Sequence, residues 1–156
     1  MQSAGRLRGR VGVITGAESA AGTDIARALA AEGMSLMLIA QPGEHVRALA
    51  EELSAAHDLR CFPASLDVAD PAAVDRIVMH AEQHIGTVDV LVNTIPGAMT
   101  EALEPTMAQR GRGHIVNVAS APPAATGSAA VTVVNLTAGG NAIAAAVVDA
   151  IVSEPT

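Results

Sequence analysis

The chain has 156 residues and a net charge of −7, from 16 acidic and 9 basic side chains, so it fits one core and suits nucleic-acid phosphates poorly. Every basic residue other than histidine is an arginine and tyrosine is absent, so this chain alone supplies neither a tyrosyl proton donor nor a lysyl ammonium. Apolar residues make up 50% of the sequence, yet Phe62 is the only aromatic, so the core must be assembled from Ala, Val, Leu, Ile and Met.

At the amino end, Arg6, Arg8 and Arg10 form the one basic cluster, and residues 1–9 are expected to be a flexible, solvated arm. The apolar run from Arg10 to Thr15 ends in Gly16 and predicts a buried strand. Ile25, Ala26, Leu29 and Ala30 then recur at helical spacing, and Gly33 suits the helix end. Ser35 to Ala40 reads as a second strand, and Pro42 and Gly43 break the chain before Val46, Leu49, Ala50 and Leu53 mark a second helix. A third strand around RCFPASLDV leads to Asp70, a good helix cap, and Pro71, suited to the first helical turn; Gly86 stops that helix. Val88 to Asn93 and Gly113 to Ser120 supply a fourth and a fifth strand. Residues 121–130, rich in Pro, Ala, Gly and Ser, read as a loop over the carboxyl edge of the sheet.

Alternating apolar strands and amphipathic helices imply βαβ units, hence an α/β fold with a doubly wound parallel sheet covered on both faces. About five strands in the Rossmann-like order 3-2-1-4-5, within one domain spanning 1–156, is the expected architecture. Cys61 is the single cysteine, which excludes an internal disulfide and makes a buried thiol and a cytoplasmic location the expectation. No signal-like apolar stretch opens the chain, and the apolar run from Ala142 to Val148 stops at Asp149, short of the ~20 residues of a membrane span. Neither nucleic acid nor membrane is an expected partner.

In a sheet of this kind ligands gather beyond the carboxyl ends of the strands, where the first strand turns into its helix. That turn is TGAESAAGTD, Thr15 to Asp24, with Gly16 and Gly22 allowing close backbone approach at a helix N-terminus. Glu18 brings a negative charge into the turn. His80 and His84 share one helix face, but no third ligand stands near them, and an exposed helix face explains them better than a metal does. His114 and Ser120 lie at opposite ends of one strand, roughly 20 Å apart, too far for a nucleophile and its base.

With these motifs in order, the chain resembles the short-chain dehydrogenase/reductase superfamily. Thr15, Gly16 and Gly22 match its Thr-Gly-x-x-x-Gly-x-Gly turn, with Ala20 at the middle glycine; Asp67 and Val68 match its Asp-Val pair against the adenine. NTIPG keeps Asn93 and Gly97 of its Asn-Asn-Ala-Gly, and Ser120 matches the serine after its fifth strand. The resemblance implies NAD or NADP as cofactor, held by Thr15, Gly16, Ser19, Gly22, Asp67, Val68, Asn93 and Gly97. It also implies Ser120 as a catalytic residue. Ala40 and Gln41, at the end of the second strand, offer neither the acid that holds a ribose hydroxyl nor the arginine that accepts a 2′-phosphate.

The departures fall on the chemistry. Where the family places its Tyr-x-x-x-Lys pair, Val133 and Thr137 stand here, and much of the helix before the fifth strand is expected to be missing. The chain is expected to stop short of the family's later strands. VVNLTAGG resembles the family's Asn-Leu-x-Gly, which makes Asn135 either a displaced tetrad residue or a coincidence at an Ala/Gly-rich helix start. Three functions fit: a nucleotide-binding domain with impaired carbonyl chemistry; an active oxidoreductase whose acid comes from a partner chain or bound water; or a structural or regulatory subunit. The helix Asn141 to Val152 is apolar on nearly every face, so a homo-oligomer or a paralogous partner is expected to cover it, the alternative being burial on its own sheet.

Overall fold

A computed structural model describes residues 7–41, 46–57, 59–94, 99–110, 113–118, 132–136, 147 and 151. Strands and helices alternate as β1 (Val11–Thr15), α1 (Ala20–Ala31), β2 (Ser35–Ala40), α2 (Arg47–His57), β3 (Cys61–Ser65) and α3 (Pro71–His84). They continue as β4 (Val90–Asn93), α4 (Met99–Arg110), β5 (His114–Val118) and β6 (Thr132–Leu136). The strands form one parallel sheet in the order β3-β2-β1-β4-β5-β6. Every residue of β1 and β4 is buried, as suits inner strands covered on both faces.

Alternation along the strands divides the core in two. Ile14, Leu38, Val92 and Val116 face the side covered by α1 and α2, through Ile25, Leu29, Ala50 and Leu53. Val13, Met37, Leu91 and Ile115 face α3 and α4, through Val74, Ala81, Leu103 and Met107. Local chemistry sets the helix ends as the sequence implies. The Asp70 carboxylate accepts from the Ala72 amide at 3.1 Å with Pro71 in the first turn, and Gly33 takes the left-handed φ of 96° after α1.

The structure adds detail to several expectations. The sheet has six strands: the sequence-based order 3-2-1-4-5 is present and extended by β6, parallel to β5. Thr132–Leu136, read from sequence as the approach to a helix start, is that strand; its β-branched residues fit a sheet edge better than a helix. The chain therefore has one strand beyond the fifth.

Between β4 and β5 a helix does form: α4, 12 residues long with Pro105 inside it. Gly113 makes room for α4 against the start of β5, since a Cβ there would lie 2.6 Å from the Met107 side chain. The end of the expected arm is docked: Leu7 is buried and its amide donates to the Glu32 carbonyl at 2.9 Å. Finally, Val147 and Ile151 are buried in the α1-side core, so at these positions the chain's own sheet covers the apolar carboxyl-terminal segment.

Candidate functional site

The turn from β1 into α1 is braced from within. Gly16 adopts a φ of 68°, the left-handed conformation that lets the chain reverse directly after the strand. Ser19 caps α1: its hydroxyl donates to the Gly16 carbonyl at 2.8 Å and accepts from the Gly22 amide at 3.0 Å. Thr23 Oγ1 donates to the Ala17 carbonyl at 2.8 Å. Gly22 is buried so tightly that a Cβ would lie 2.2 Å from the Gly16 carbonyl oxygen and 2.9 Å from the Ala17 Cα. The amino end of α1, the positive end of its dipole, thus meets the carboxyl end of β1 at contact distance. Ala20 opens the helix and is exposed. Within the turn, Glu18 Oε1 is buried with no hydrogen-bond partner among the described residues.

Beside this turn, β1 and β4 are tied at their ends. Thr15 Oγ1 donates to Asn93 Oδ1 at 3.4 Å and accepts from the Thr94 amide at 3.3 Å, while Thr94 Oγ1 donates to the Thr15 carbonyl at 2.7 Å. All three residues are buried. The register continues this row: Thr15 lies opposite Asn93, Asn93 opposite Asn117, and Asn117 opposite Asn135. Thr94 and Asn117 were not among the residues expected from sequence. The matching tetrapeptides IVNV and VVNL were a signal for the second, because like positions on adjacent parallel strands pair.

At the outer end of the sheet, Asp67 and Val68 form the turn from β3 into α3. Asp67 Oδ1 accepts from the Ala69 amide at 2.9 Å and the Asp67 carbonyl from the Asp70 amide at 3.0 Å; Val68 is buried and Asp67 exposed. Gln41, next to β2, is exposed, and its carbonyl accepts from Ser65 Oγ at 3.1 Å. Of the expected site residues, Thr15, Gly16, Ser19, Gly22, Asp67, Val68 and Asn93 all stand along this carboxyl edge, and Asn135 shares its row by register. Gly97 and Ser120 lie outside the described residues.

Other titratable groups stand elsewhere. His80 and His84 meet on the exposed face of α3 with ring centroids 4.2 Å apart. His114 begins β5 at the opposite, amino edge, where its amide donates to the Asp89 carbonyl at 3.0 Å. Cys61 is a buried free thiol whose pKa burial pushes up.

A family model described as short chain dehydrogenase matches residues 10–98, from the start of β1 past the end of β4. The chain belongs to the short-chain dehydrogenase family. The bovine dehydrogenase/reductase SDR family member 7B is 30% identical over 145 residues, covering 73% of this chain and 45% of its own length. A short chain dehydrogenase of the fungus Pseudocercospora fijiensis is 26% identical over 144 residues, covering 74% and 46%. The chain thus spans about half the length of these curated relatives.

Among solved structures, L-sorbose reductase from Gluconobacter frateurii, determined with NADPH and L-sorbose, superposes with a TM-score of 0.65 at 27% identity, covering 77% of this chain and 55% of its own. A metagenomic short-chain oxidoreductase in complex with NADP shares the fold over 96% of this chain and 93% of its own, at a TM-score of 0.78 and 22% identity.

The resemblance to the short-chain dehydrogenases sets their Tyr-x-x-x-Lys pair against Val133 and Thr137. On a helix, that spacing puts two side chains on one face, about 6 Å apart along the axis. Val133 instead lies inside β6, in extended backbone, and Thr137 lies outside the described residues. Only residues 119–131 join β5 to β6, close to the shortest crossover that a parallel pair allows.

Proposed function

We propose that this chain binds NAD or NADP along the carboxyl edge of its sheet and does not by itself reduce carbonyls or oxidise alcohols. The turn from Thr15 to Gly22 carries the first half of this reading. Gly16 reverses the chain at a left-handed φ, a Cβ at Gly22 would strike the Gly16 carbonyl, and the turn presents a helix N-terminus to an anion. The NADPH found with the related L-sorbose reductase supports the same assignment. Backbone amides from Gly16 to Gly22, with Thr15 and Ser19, would hold the pyrophosphate, and Asp67 and Val68 would hold the adenine side. Asn93 and Gly97 would flank the nicotinamide half, with Ser120 and Asn135 toward the reacting end.

When bound, the nicotinamide ring supplies or accepts a hydride. The chain's own task would be to move the matching proton. Ser120 has no tyrosine to work with and no lysine to lower a phenol's pKa, since the sequence contains neither residue. A positioned acid or base is typically worth about 10²- to 10⁴-fold in rate. The proposed setting is the cytoplasm, in keeping with a buried free thiol at Cys61. Self-association through apolar residues of the segment 141–152 other than Val147 and Ile151 belongs to the same proposal, and sedimentation at micromolar concentration tests it.

Calorimetric titration with NADPH, NADH and their oxidised forms tests the binding half. A dissociation constant in the micromolar range is expected for at least one of them. No heat at millimolar cofactor, together with an unchanged melting temperature, overturns the assignment.

A further inference from the structure

A second recess lies away from the phosphate turn, between the end of edge strand β3 and helix α3, with a volume of about 340 Å³. Half-buried Ala64, Leu66, Ala73 and Ile77 make an apolar floor, and Arg76 and His80 stand exposed beside it. Arg76 and His80 are one turn apart on α3, so they share a face. Arg76 has no ion-pair or hydrogen-bond partner among the described residues, unlike Arg27, which pairs with Glu52. An apolar floor beside an uncompensated guanidinium fits a ligand with an aliphatic body and a carboxylate head.

The strand itself decides between a peptide and a small molecule. The Leu36 amide donates to the Arg60 carbonyl and the Leu66 amide to the Ala40 carbonyl, both at 3.1 Å. Alternation therefore turns the backbone of Cys61, Pro63 and Ser65 outward. Ser54 Oγ occupies both outward groups of Cys61, accepting from its amide at 3.2 Å and donating to its carbonyl at 3.3 Å, and Pro63 has no amide proton to offer. An added peptide strand finds little of the ladder it needs here.

We propose that the groove between β3 and α3 binds a small amphipathic monocarboxylate, with its chain on the apolar floor and its carboxylate on Arg76 beside His80. The groove adjoins the Asp67–Val68 turn at one end but is lined by neither residue, and Arg76 and His80 lie farther along α3.

The test is an NMR titration of the full chain with octanoate, with octanol as the uncharged control. Octanoate is expected to shift the His80 ring and the Ala73 and Ile77 methyl resonances saturably. Octanol and the Arg76→Gln variant should each bind about tenfold more weakly, the scale of one charge-assisted contact. Added NADP+ should leave the octanoate shifts in place, and Arg76→Gln, altering an exposed side chain, should melt as wild type does. The proposal is overturned by any of four results: no saturable shift at these groups, equal affinity for octanol, no effect of Arg76→Gln, or displacement of octanoate by NADP+.

Discussion

Gly22 and Glu18 pull the phosphate turn in opposite directions. A methyl group at Gly22 would sit 2.2 Å from the Gly16 carbonyl oxygen, so Gly22→Ala must push α1 away from β1. The expected loss is about 1–3 kcal/mol in urea unfolding, with dinucleotide binding weakened alongside it. Removing the helix cap through Ser19→Ala is a milder change, about 1 kcal/mol by the same measurement. Glu18 acts in the other direction. Its buried, unpartnered oxygen places negative charge in the turn, so Glu18→Gln should tighten NADP(H) binding about three- to tenfold in calorimetry, without loss of stability. Unchanged or weaker binding would mean that the phosphates lie elsewhere.

At the level of elements, strand β6 carries the main consequence. Restoring the missing chemistry at the positions that resemble the family motif, with Val133→Tyr and Thr137→Lys together, should produce no NADPH-dependent carbonyl reduction. Val133 lies in a strand, whereas the Tyr-x-x-x-Lys spacing brings two side chains together on one helix face, about 6 Å apart along the axis. Activity in that double variant would place the pair on a helix and contradict the strand.

The same region shows how far the sequence could be read. β1 to β5, their order and the caps at Asp70 and Gly33 follow from local patterns: apolar runs, helical spacing, a proline after an aspartate. The phosphate turn was legible because its glycines stand at fixed offsets from the first strand. β6 was obscured because the motif alignment placed the missing pair there and suggested a helix, although its β-branched residues favoured a strand. The shortness of the segment between β4 and β5 likewise hid α4, which packs Leu103 and Met107 on the sheet with Pro105 inside it. The tie from Thr94 to Thr15 depends on which strands are neighbours, and a single strand's sequence does not state that.

For the molecule as a whole, two sheet faces closed by small aliphatic side chains make one cooperative unit in which Cys61 is a useful reporter. Burial raises its pKa and shields the thiol, so labelling by a disulfide reagent at neutral pH should be slow in the native state and rise steeply across the urea transition. Rapid labelling before unfolding would show that the layer between α2 and β3 opens by itself.

The proposed nucleotide-binding edge lacks the acid that carbonyl reduction needs. Its most direct test is the rate of NADPH oxidation by the purified chain, saturated with cofactor and offered a panel of aldehydes, ketones and ketoses. No oxidation above the rate in buffer is expected. Sustained turnover that is lost in Ser120→Ala would contradict it and show that this chain finds its proton without tyrosine or lysine.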